Sequence, residues 1–582
     1  NPAFLGADEI VAGEYCRQKI GPGGLFIGDG LQMAQAPYGV MWHKNEAYGA
    51  IRYINIFFEK IGNVYNMEDS EKKLWTAELK ALKAHFYFEL MRRYGPIILV
   101  PENIDPNASL DEMKQPRRPI DEVVNAIVEL CDEAIEDLPY LKEKPSTRIT
   151  YHSKESAATL KAMTLLYAAS PLFNGNKMFA NFLNKNGERL FPDYDKEKWR
   201  KAAEAADEAI KICEAAGKTL VTGNTDRPTK LLNIMKDIED SALAPDYKNS
   251  EAIFYVRNTS GGPCGYILPF FAGEGEGADC YDPHSIGCLG ASMKMVEMFY
   301  TEHGVPISED KQWVVAKYSM GRESDEKYTN VLNLNTEILG LHRRREPRFY
   351  ANIGADRTLW YRMQKSGSEQ KYVAQEICAY QGELYGTKIT RIDNNTPQNL
   401  SGYWIKKYLR SNITFYYYTS RDNTEKGGII FRLPDLYLAS SEAWNEYLDA
   451  PDNRVYDPLN KIRERAGILN VQEAWKNYAR NPDKVNTKLG MREIIQQEWN
   501  IEFAFEGRRF WNLRRWMTAP EELNTPQYGW NVLGSTAETF YHNYDGPIVV
   551  WSKRKFNVPR DYFFPIQSEE VLMSECKQNL GW

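Results

Sequence analysis

The sequence predicts a mainly α-helical protein that carries an irregular, loop-rich lobe with short strands. Apolar residues recur at helical spacing in several segments before residue 217. Residues 218–430 instead mix Gly, Pro, Asn, Asp and Tyr with short β-prone runs, and helical spacing resumes at residue 432. We therefore expect a helical first part (1–217), a loop-rich lobe (218–430), and C-terminal helices (431–582) that pack back on the first part.

The first part is predicted to be a succession of paired helices. Apolar spacing predicts helices over 45–62, 70–94, 119–139, 153–173 and 195–217. In the helix over 70–94 the predicted buried stripe is Trp75, Leu79, Leu82, Phe86 and Leu90, and Gly95-Pro96 ends the helix. Alanines on the same helix let a neighbour approach closely. The helix pairs therefore resemble tetratricopeptide-like repeats of irregular period.

The remaining elements follow from local composition. Strands are predicted over 251–258 and 413–420, where β-branched and aromatic residues are concentrated. Pro434 and Asp435 form a favourable helix start for a helix over 432–449. Further helices are expected over 456–468 and 487–516.

Composition limits the classes of function. With 582 residues the chain is too long for a single core, so more than one packed lobe is expected. The formal net charge of −7 argues against general nucleic-acid binding, which needs a basic field. Aromatic residues make up 13% of the chain, which suits cores, interfaces and sugar-binding platforms alike. No apolar run is long enough to span a bilayer.

The cysteines and histidines do not predict a metal site. The eight cysteines show no zinc spacing, and the seven histidines are scattered. Cys131 and Cys213 are expected to be buried thiols, whereas Cys264, Cys280 and Cys288 cluster where one disulfide could form. The pair Asp279 and Asp282 leaves a structural Ca²⁺ open, although it falls short of an EF-hand ligand set. We predict no cofactor.

Three glutamates in the C-terminal segment allow two interpretations. Glu498, Glu502 and Glu506 share one helix face. In the first interpretation, two of them are the acid and the base of a glycosidase. Alternatively they pair with nearby arginines and hold the helix to its neighbours. Those arginines are Arg492, Arg508, Arg509, Arg514 and Arg515. Because catalytic carboxylates usually face each other from separate elements, we favour the structural interpretation.

Nucleophile motifs are also missing from the sequence. It contains no Gly-x-Ser-x-Gly elbow, HExxH or Cys/His signature, although a triad assembled from distant residues would leave no motif. No catalytic residue is therefore predicted.

Two C-terminal stretches resemble a known family. "MREIIQQEWNIEFAFEGRRFWNLRRW" (491–516) and "YFFPIQSEEVLMSECKQNLGW" (562–582) are similar to signatures of the SusD/RagB family, outer-membrane nutrient-binding lipoproteins of Bacteroidetes. Six further stretches match in the family's order: 78–100, 148–173, 295–307, 343–353, 429–446 and 459–468. The sequence departs from the family pattern at Lys83, Gln497 and Leu580, where Arg, Arg and Pro are usual.

The resemblance implies both a fold and a role. The implied fold is a scaffold of four tetratricopeptide-like helix pairs, capped by an irregular lobe that binds glycan. The implied role is non-catalytic capture of glycan at the cell surface for a SusC-type TonB-dependent outer-membrane transporter. Attachment to the outer membrane would come from a lipid anchor upstream of residue 1. A glycoside hydrolase and a protein-interaction scaffold remain as alternatives.

Sugar rings bind to exposed aromatic faces flanked by polar side chains. The resemblance places such residues just before the first long helix and in the irregular lobe. Our candidates are the rings of Tyr38, Trp42, Tyr266, Tyr281, Trp313, Trp360 and Tyr361, with Asn45 and Asp279 as polar partners. For any one of these rings, a role in the core or in anchoring a loop is the simpler interpretation.

Overall fold

The protein is described here as a computed structural model. The described residues are 2–43, 45–243, 248–257, 264–267, 287–313, 315–366, 369–386, 399–409 and 427–582. Within these ranges the chain is mainly helical, as predicted, with short strands.

The helices fall into three stretches of the chain. Before residue 217 they are α1 (Pro2–Gly6), α2 (Glu14–Ile20), α3 (Gly24–Gly28), α4 (Ala47–Lys60), α5 (Asp69–Tyr94), α6 (Leu110–Met113), α7 (Ile120–Asp137), α8 (Lys154–Ala169) and α9 (Glu197–Ala215). The middle stretch has α10 (Lys230–Ser241), α11 (Cys264–Ile267), α12 (Met293–Met298) and α13 (Pro347–Asn352). The last stretch has α14 (Leu433–Tyr447), α15 (Asn453–Arg465), α16 (Val471–Tyr478), α17 (Lys488–Glu502), α18 (Arg508–Arg515), α19 (Ala519–Leu523), α20 (Ala537–Phe540) and α21 (Ser568–Ser574).

The strands are short and antiparallel. They are β1 (Ile10–Ala12), β2 (Ala252–Arg257), β3 (Leu289–Ala291), β4 (Met320–Gly321), β5 (Ile338–Leu339), β6 (Ile353–Gly354), β7 (Leu359–Ser366), β8 (Glu369–Glu376), β9 (Trp404–Ile405), β10 (Gly427–Arg432), β11 (Gln527–Gly529) and β12 (Ile548–Trp551). Four of them form a sheet in the order β1-β3-β9-β6, and the others pair two by two. The predicted strand over 251–258 is β2, whereas the one over 413–420 lies outside the described residues.

Five predicted helices of the first part are confirmed as α4, α5, α7, α8 and α9. The predicted stop of α5 is also confirmed. Gly95 adopts φ 72°, a left-handed conformation that glycine tolerates, and its N–H donates to Met91 O. The helix α10 was not predicted, because we assigned its segment to the loop-rich lobe.

The long helices pack in sequence, which builds the main core. α5 packs on α7, α7 on α8, α8 on α9 and α9 on α14, and α14 contacts α15 and α17. The resulting cluster of buried side chains runs from Ala3 to Cys576. A second cluster surrounds the four-stranded sheet and includes Ile10, Leu289 and Tyr403. Because this cluster also contains Trp530 and Tyr541, residues from both the first and the last part of the chain enter it.

The buried face of α5 differs from the predicted stripe. Trp75 is 37% exposed and Leu79 and Leu82 are half-buried, whereas Ala81 and Ala84 are fully buried. Small side chains allow α7 to approach closely, so the alanine face points inward. The larger apolar residues near the start of α5 are consequently left facing a solvent-open cleft.

One disulfide joins distant parts of the chain. Cys16 on α2 is bonded to Cys288, with 5.6 Å between the Cα atoms. The sequence left open a disulfide within the cluster of Cys264, Cys280 and Cys288, but Cys288 pairs with a cysteine 272 residues away. Sequence proximity was misleading because β1 and β3, which lie next to these cysteines, are neighbours in the sheet. Cys131 and Cys213 are buried free thiols, as predicted.

Candidate functional site

The three C-terminal glutamates lie in a buried charge network. Glu502, at the end of α17, accepts from Arg432 at 2.6 Å and from Arg465. An Arg348 Nη1 lies 3.5 Å from the other Glu502 oxygen. The side chains of Glu502 and of these three arginines are each at most 2% exposed. Glu502 therefore has no access to a substrate in this arrangement.

The other two glutamates are held in the same way. Glu498 is 2.5 Å from Arg348 Nη1 and 3.1 Å from Arg463 Nη1. Glu506 is 2.8 Å from Arg432 Nη2 and 2.5 Å from Lys407 Nζ. The network thus connects α17 to α13, to α15 and to the segment before α14.

The charge network keeps Glu502 and Glu506 ionised. Burial alone would raise the pKa of Glu506, but Arg432 and Lys407 outweigh it and lower the pKa to about 2. Burial also opposes ionisation of Glu502, and there Arg465, Arg432 and Arg348 hold the pKa well below its ordinary value. A glycosidase acid must carry a proton near neutral pH, which neither group does.

The structural interpretation of these glutamates is confirmed, but the predicted partners are wrong. The five arginines we named form their contacts elsewhere: Arg492 with Glu446, Arg508 with Asp435, Arg509 with Asp8, Arg515 with Glu442, and Arg514 over the Phe510 ring. Neighbours in sequence were poor guides, because α17 and α18 are separated by a turn that redirects the side chains. Phe503, Phe510 and Trp516 in the same segment are buried.

The predicted binding residues before α4 are not an exposed platform. Trp42 is 3% exposed, and its ring packs edge-on against Tyr48 and Tyr94, each with centroids 5.2 Å apart. Tyr38 is half-buried with its ring edge-on to Phe26. Asn45 is exposed, and its backbone N–H donates to His43 Nδ1 at 3.1 Å. Trp42 is therefore corrected from a ligand-facing ring to a core residue.

The structure brings Trp360 and Tyr361 to one small cleft. Trp360 is 4% exposed and stacks on Tyr385, while Tyr361 is half-buried. Together with Lys406 and other residues they line about 30 Å³ of space, enough for a water molecule but not for a sugar ring. Trp360 is thus also corrected to a core residue.

The remaining candidates lie on loops and short elements. Tyr266 on α11 is half-buried against the second core cluster. Trp313 is half-buried, and its backbone N–H donates to Asp310 Oδ1 at 3.0 Å. Asp279, Tyr281 and the Ca²⁺ candidate Asp282 lie outside the described residues.

An aromatic cleft was missed by the sequence prediction. It measures about 330 Å³ and is lined by Phe57, Trp75, Glu78, Leu79, Leu82, Arg148, Thr150, Tyr151, His152 and Phe254. We had assigned Trp75, Leu79 and Leu82 to a buried stripe. The second, alanine-rich face of α5 could have revealed the cleft. A helix rarely buries two faces unless it is central, so burial of the alanine face indicates that the face with Trp75, Leu79 and Leu82 is open.

Two further properties concern the described residues only. They include no group of three or more His, Cys, Asp or Glu side chains arranged to hold a metal ion. None of their helices combines the length and the apolar character that crossing a bilayer requires.

Comparison with known proteins establishes the family. The model of the SusD family matches residues 249–582, more than half of the chain. The chain belongs to the SusD family. A SusD-like protein of Formosa agariphila is 38% identical over 96 residues, which is 16% of this chain and 16% of that relative.

Solved structures show the same fold. The structure of BT4246 has a TM-score of 0.81 at 23% identity, covering 100% of this chain and 95% of that chain. A SusD-like carbohydrate-binding protein from Bacteroides fragilis has a TM-score of 0.61 at 18% identity, covering 98% and 91%. At these identities the similarity establishes the fold, and ligands must be argued separately.

Proposed function

We propose that the protein binds oligosaccharides or polysaccharides at the cell surface and delivers them to a SusC-like TonB-dependent outer-membrane transporter without cleaving them. Membership of the SusD family over residues 249–582 carries this proposal. A protein of the same fold is described as carbohydrate-binding. Attachment to the outer membrane through a lipid anchor upstream of residue 1 is part of the proposal.

The charge network supports binding without cleavage. The three carboxylates that could serve a glycoside hydrolase as acid and base are buried and ion-paired, and Glu506 has a pKa of about 2. Hydrolysis with a paired acid and base requires one carboxyl to stay protonated. The segment that looked most like an active site therefore has a structural role.

Within the irregular lobe, the half-buried rings of Tyr266, Trp313 and Tyr361 remain the proposed sugar contacts. Each is partly exposed, and an aromatic face that reaches the surface can stack on the C–H face of a sugar. Tyr281 and Asp279 stay in the proposal as residues of the same lobe. Trp360 would act by shaping the core against which Tyr266 and Tyr361 pack, whereas Trp42 belongs to the core of the helical scaffold.

Affinity electrophoresis tests the proposal. The chain is run in native gels that contain one neutral polysaccharide each, beside a non-binding protein of similar size. We expect retardation by at least one polysaccharide and no reducing sugar released on long incubation. Co-purification with a transporter but retardation by none of the polysaccharides would favour the interaction scaffold instead.

A further inference from the structure

The cleft between α4, α5 and residues 148–152 has exposed aromatic rings at its rim. Trp75 is 37% and Tyr151 is 48% exposed, although both are large rings that folding usually buries. Phe57 stacks on Trp75 with centroids 6.5 Å apart and ring planes within 20°. An exposed group of rings on a folded surface is typical of a binding site.

A charged cluster fixes the two rim rings relative to each other. The Arg148 guanidinium lies 5.0 Å from the Trp75 ring centre and 4.8 Å from that of Tyr151. Glu78, which is 6% exposed, is ion-paired with Arg148. The rings are therefore bridged by a cation whose own position is held by a buried carboxylate.

A lysine holds the segment that carries Tyr151. Lys144 Nζ is 2.6 Å from Glu78 Oε1 and donates to the carbonyls of Tyr151 at 3.2 Å and His152 at 2.7 Å. The backbone of the rim is thus tied to α5. Because the rings are ordered before a ligand arrives, binding loses little conformational entropy.

The charged groups at the cleft are paired. Among the described lining residues, the one carboxylate, Glu78, pairs with the one guanidinium, Arg148, and also with Lys144 beside the cleft. His152 stacks on Phe254 with centroids 4.2 Å apart, and burial lowers its pKa well below the ordinary value, so this imidazole is neutral. A charged ligand would lose its hydration in this cleft and find no unpaired counter-ion among the described lining residues. An uncharged ligand avoids this desolvation cost.

The floor of the cleft is apolar and its size suits a small ligand. Leu79, Leu82 and Phe254 form apolar surface, and Thr150 adds a hydroxyl group. The volume of about 330 Å³ falls at the lower end of the range for ligand sites. Apolar faces beside a few fixed polar groups match a sugar ring, which has C–H faces edged by hydroxyls.

We propose that this cleft on the helical scaffold binds an uncharged oligosaccharide, at a site additional to the irregular lobe. The inference rests on the proposed glycan-binding function and assigns that function a second location. Exposed Tyr53 lies one helical turn before Phe57 on α4 and would extend the ring surface for a longer glycan.

The test is calorimetric titration of the full chain with neutral hexasaccharides of glucose, xylose and mannose. The variants are Trp75→Ala and Tyr151→Ala, and the matched control is Tyr194→Ala, which removes a ring that is 61% exposed and does not line the cleft. Removing one stacking ring is expected to weaken binding about tenfold, and the control is expected to bind like the wild type. Thermal melts confirm that each variant is folded.

The outcomes separate this inference from the proposed function. If the wild type binds a hexasaccharide and both cleft variants bind it equally well with the same stoichiometry, the cleft inference is wrong and glycan binding stands. If the wild type binds none of the sugars, the proposed function fails and the cleft inference fails with it. Should Trp75→Ala not fold, Tyr151→Ala decides, because Tyr151 is nearly half exposed and lies outside the regular helices.

Discussion

Arg432 and Glu502 are joined by an ion pair of 2.6 Å in the protein interior, where the two side chains are 0% and 2% exposed. Arg432 immediately precedes α14, and Glu502 ends α17. The same arginine also pairs with Glu251, before β2, at 2.6 Å and with Glu506 at 2.8 Å. One guanidinium therefore connects the irregular lobe to the signature segment of the family.

Replacing Arg432 should destabilise the fold strongly. In Arg432→Met three buried carboxylates lose a shared cation, and truncating one partner of a buried pair typically costs about 3–5 kcal/mol. Urea unfolding measures the loss. The control is Arg454→Met, since the Arg454–Asp452 pair is about half exposed (49% and 47%) and should contribute less than about 1 kcal/mol. Equal losses in the two variants would contradict the assigned role of the network.

The network should also make the fold sensitive to acid. The pKa of Glu506 is lowered to about 2 in the fold, so the unfolded chain takes up this proton first as the pH falls. Stability from this group is complete above about pH 4.5 and is lost as the pH falls towards 2. We expect Glu506→Gln to be less stable than the wild type at pH 7, by on the order of 3 kcal/mol. The difference should shrink towards pH 2, and a difference that stays constant with pH would contradict the assignment.

Glu9 should have the opposite pH dependence. Burial raises its pKa to about 7 despite the Phe505 N–H bond to Oε1 and the nearby Arg509 and Lys407, with Asp8 adding to the rise. The folded state therefore holds this proton more tightly than the unfolded chain. Its contribution to stability is complete below about pH 4.5 and is lost as the pH rises through 7.

Comparing Glu9→Gln with the wild type isolates this effect. The unfolding free energy of the wild type relative to the variant should fall by on the order of 2–3 kcal/mol between pH 5 and pH 8. Urea unfolding at the two pH values measures it. A relative stability that rises over this interval would show that Glu9 is ionised in the fold.

The Cys16–Cys288 disulfide should stabilise the protein by restricting the unfolded chain. It closes a loop with a sequence separation of 272 residues, and long loops gain the most in the chain-entropy account. The double variant Cys16→Ser/Cys288→Ser is expected to lose about 2–4 kcal/mol. Adding reductant should lower the melting temperature of the wild type but leave that of the double variant unchanged. A wild type that is insensitive to reductant despite complete thiol labelling would contradict this role.

Local sequence signals were sufficient for most of the scaffold. The predicted helix over 119–139 is α7 (Ile120–Asp137), and the one over 195–217 is α9 (Glu197–Ala215). Both carry strong apolar periodicity, which acts within a few turns and is therefore visible in the sequence. The signature segment was also interpreted correctly as structural.

Long-range relationships were not visible in the sequence. Glu502 pairs with Arg432, which lies 70 residues away, rather than with the arginines that follow it. Cys16 and Cys288 meet because β1 pairs with β3. Trp75 faces a cleft because α7 packs on the alanine face of α5, a choice between two faces of one helix that periodicity alone does not decide. Whether a single ring such as Trp42 or Trp360 is buried also depends on tertiary packing, so the sequence did not show that both lie in the core.

The central claim is that the chain binds glycan and leaves it intact. In the most direct measurement, the full chain is titrated with each neutral hexasaccharide and binding is recorded by calorimetry. After incubation, the mass of the recovered sugar is determined by mass spectrometry. The account predicts saturable binding of at least one hexasaccharide and full recovery of that sugar at its original mass. Recovery of shorter sugars, or the absence of binding to every neutral glycan tested, would contradict it.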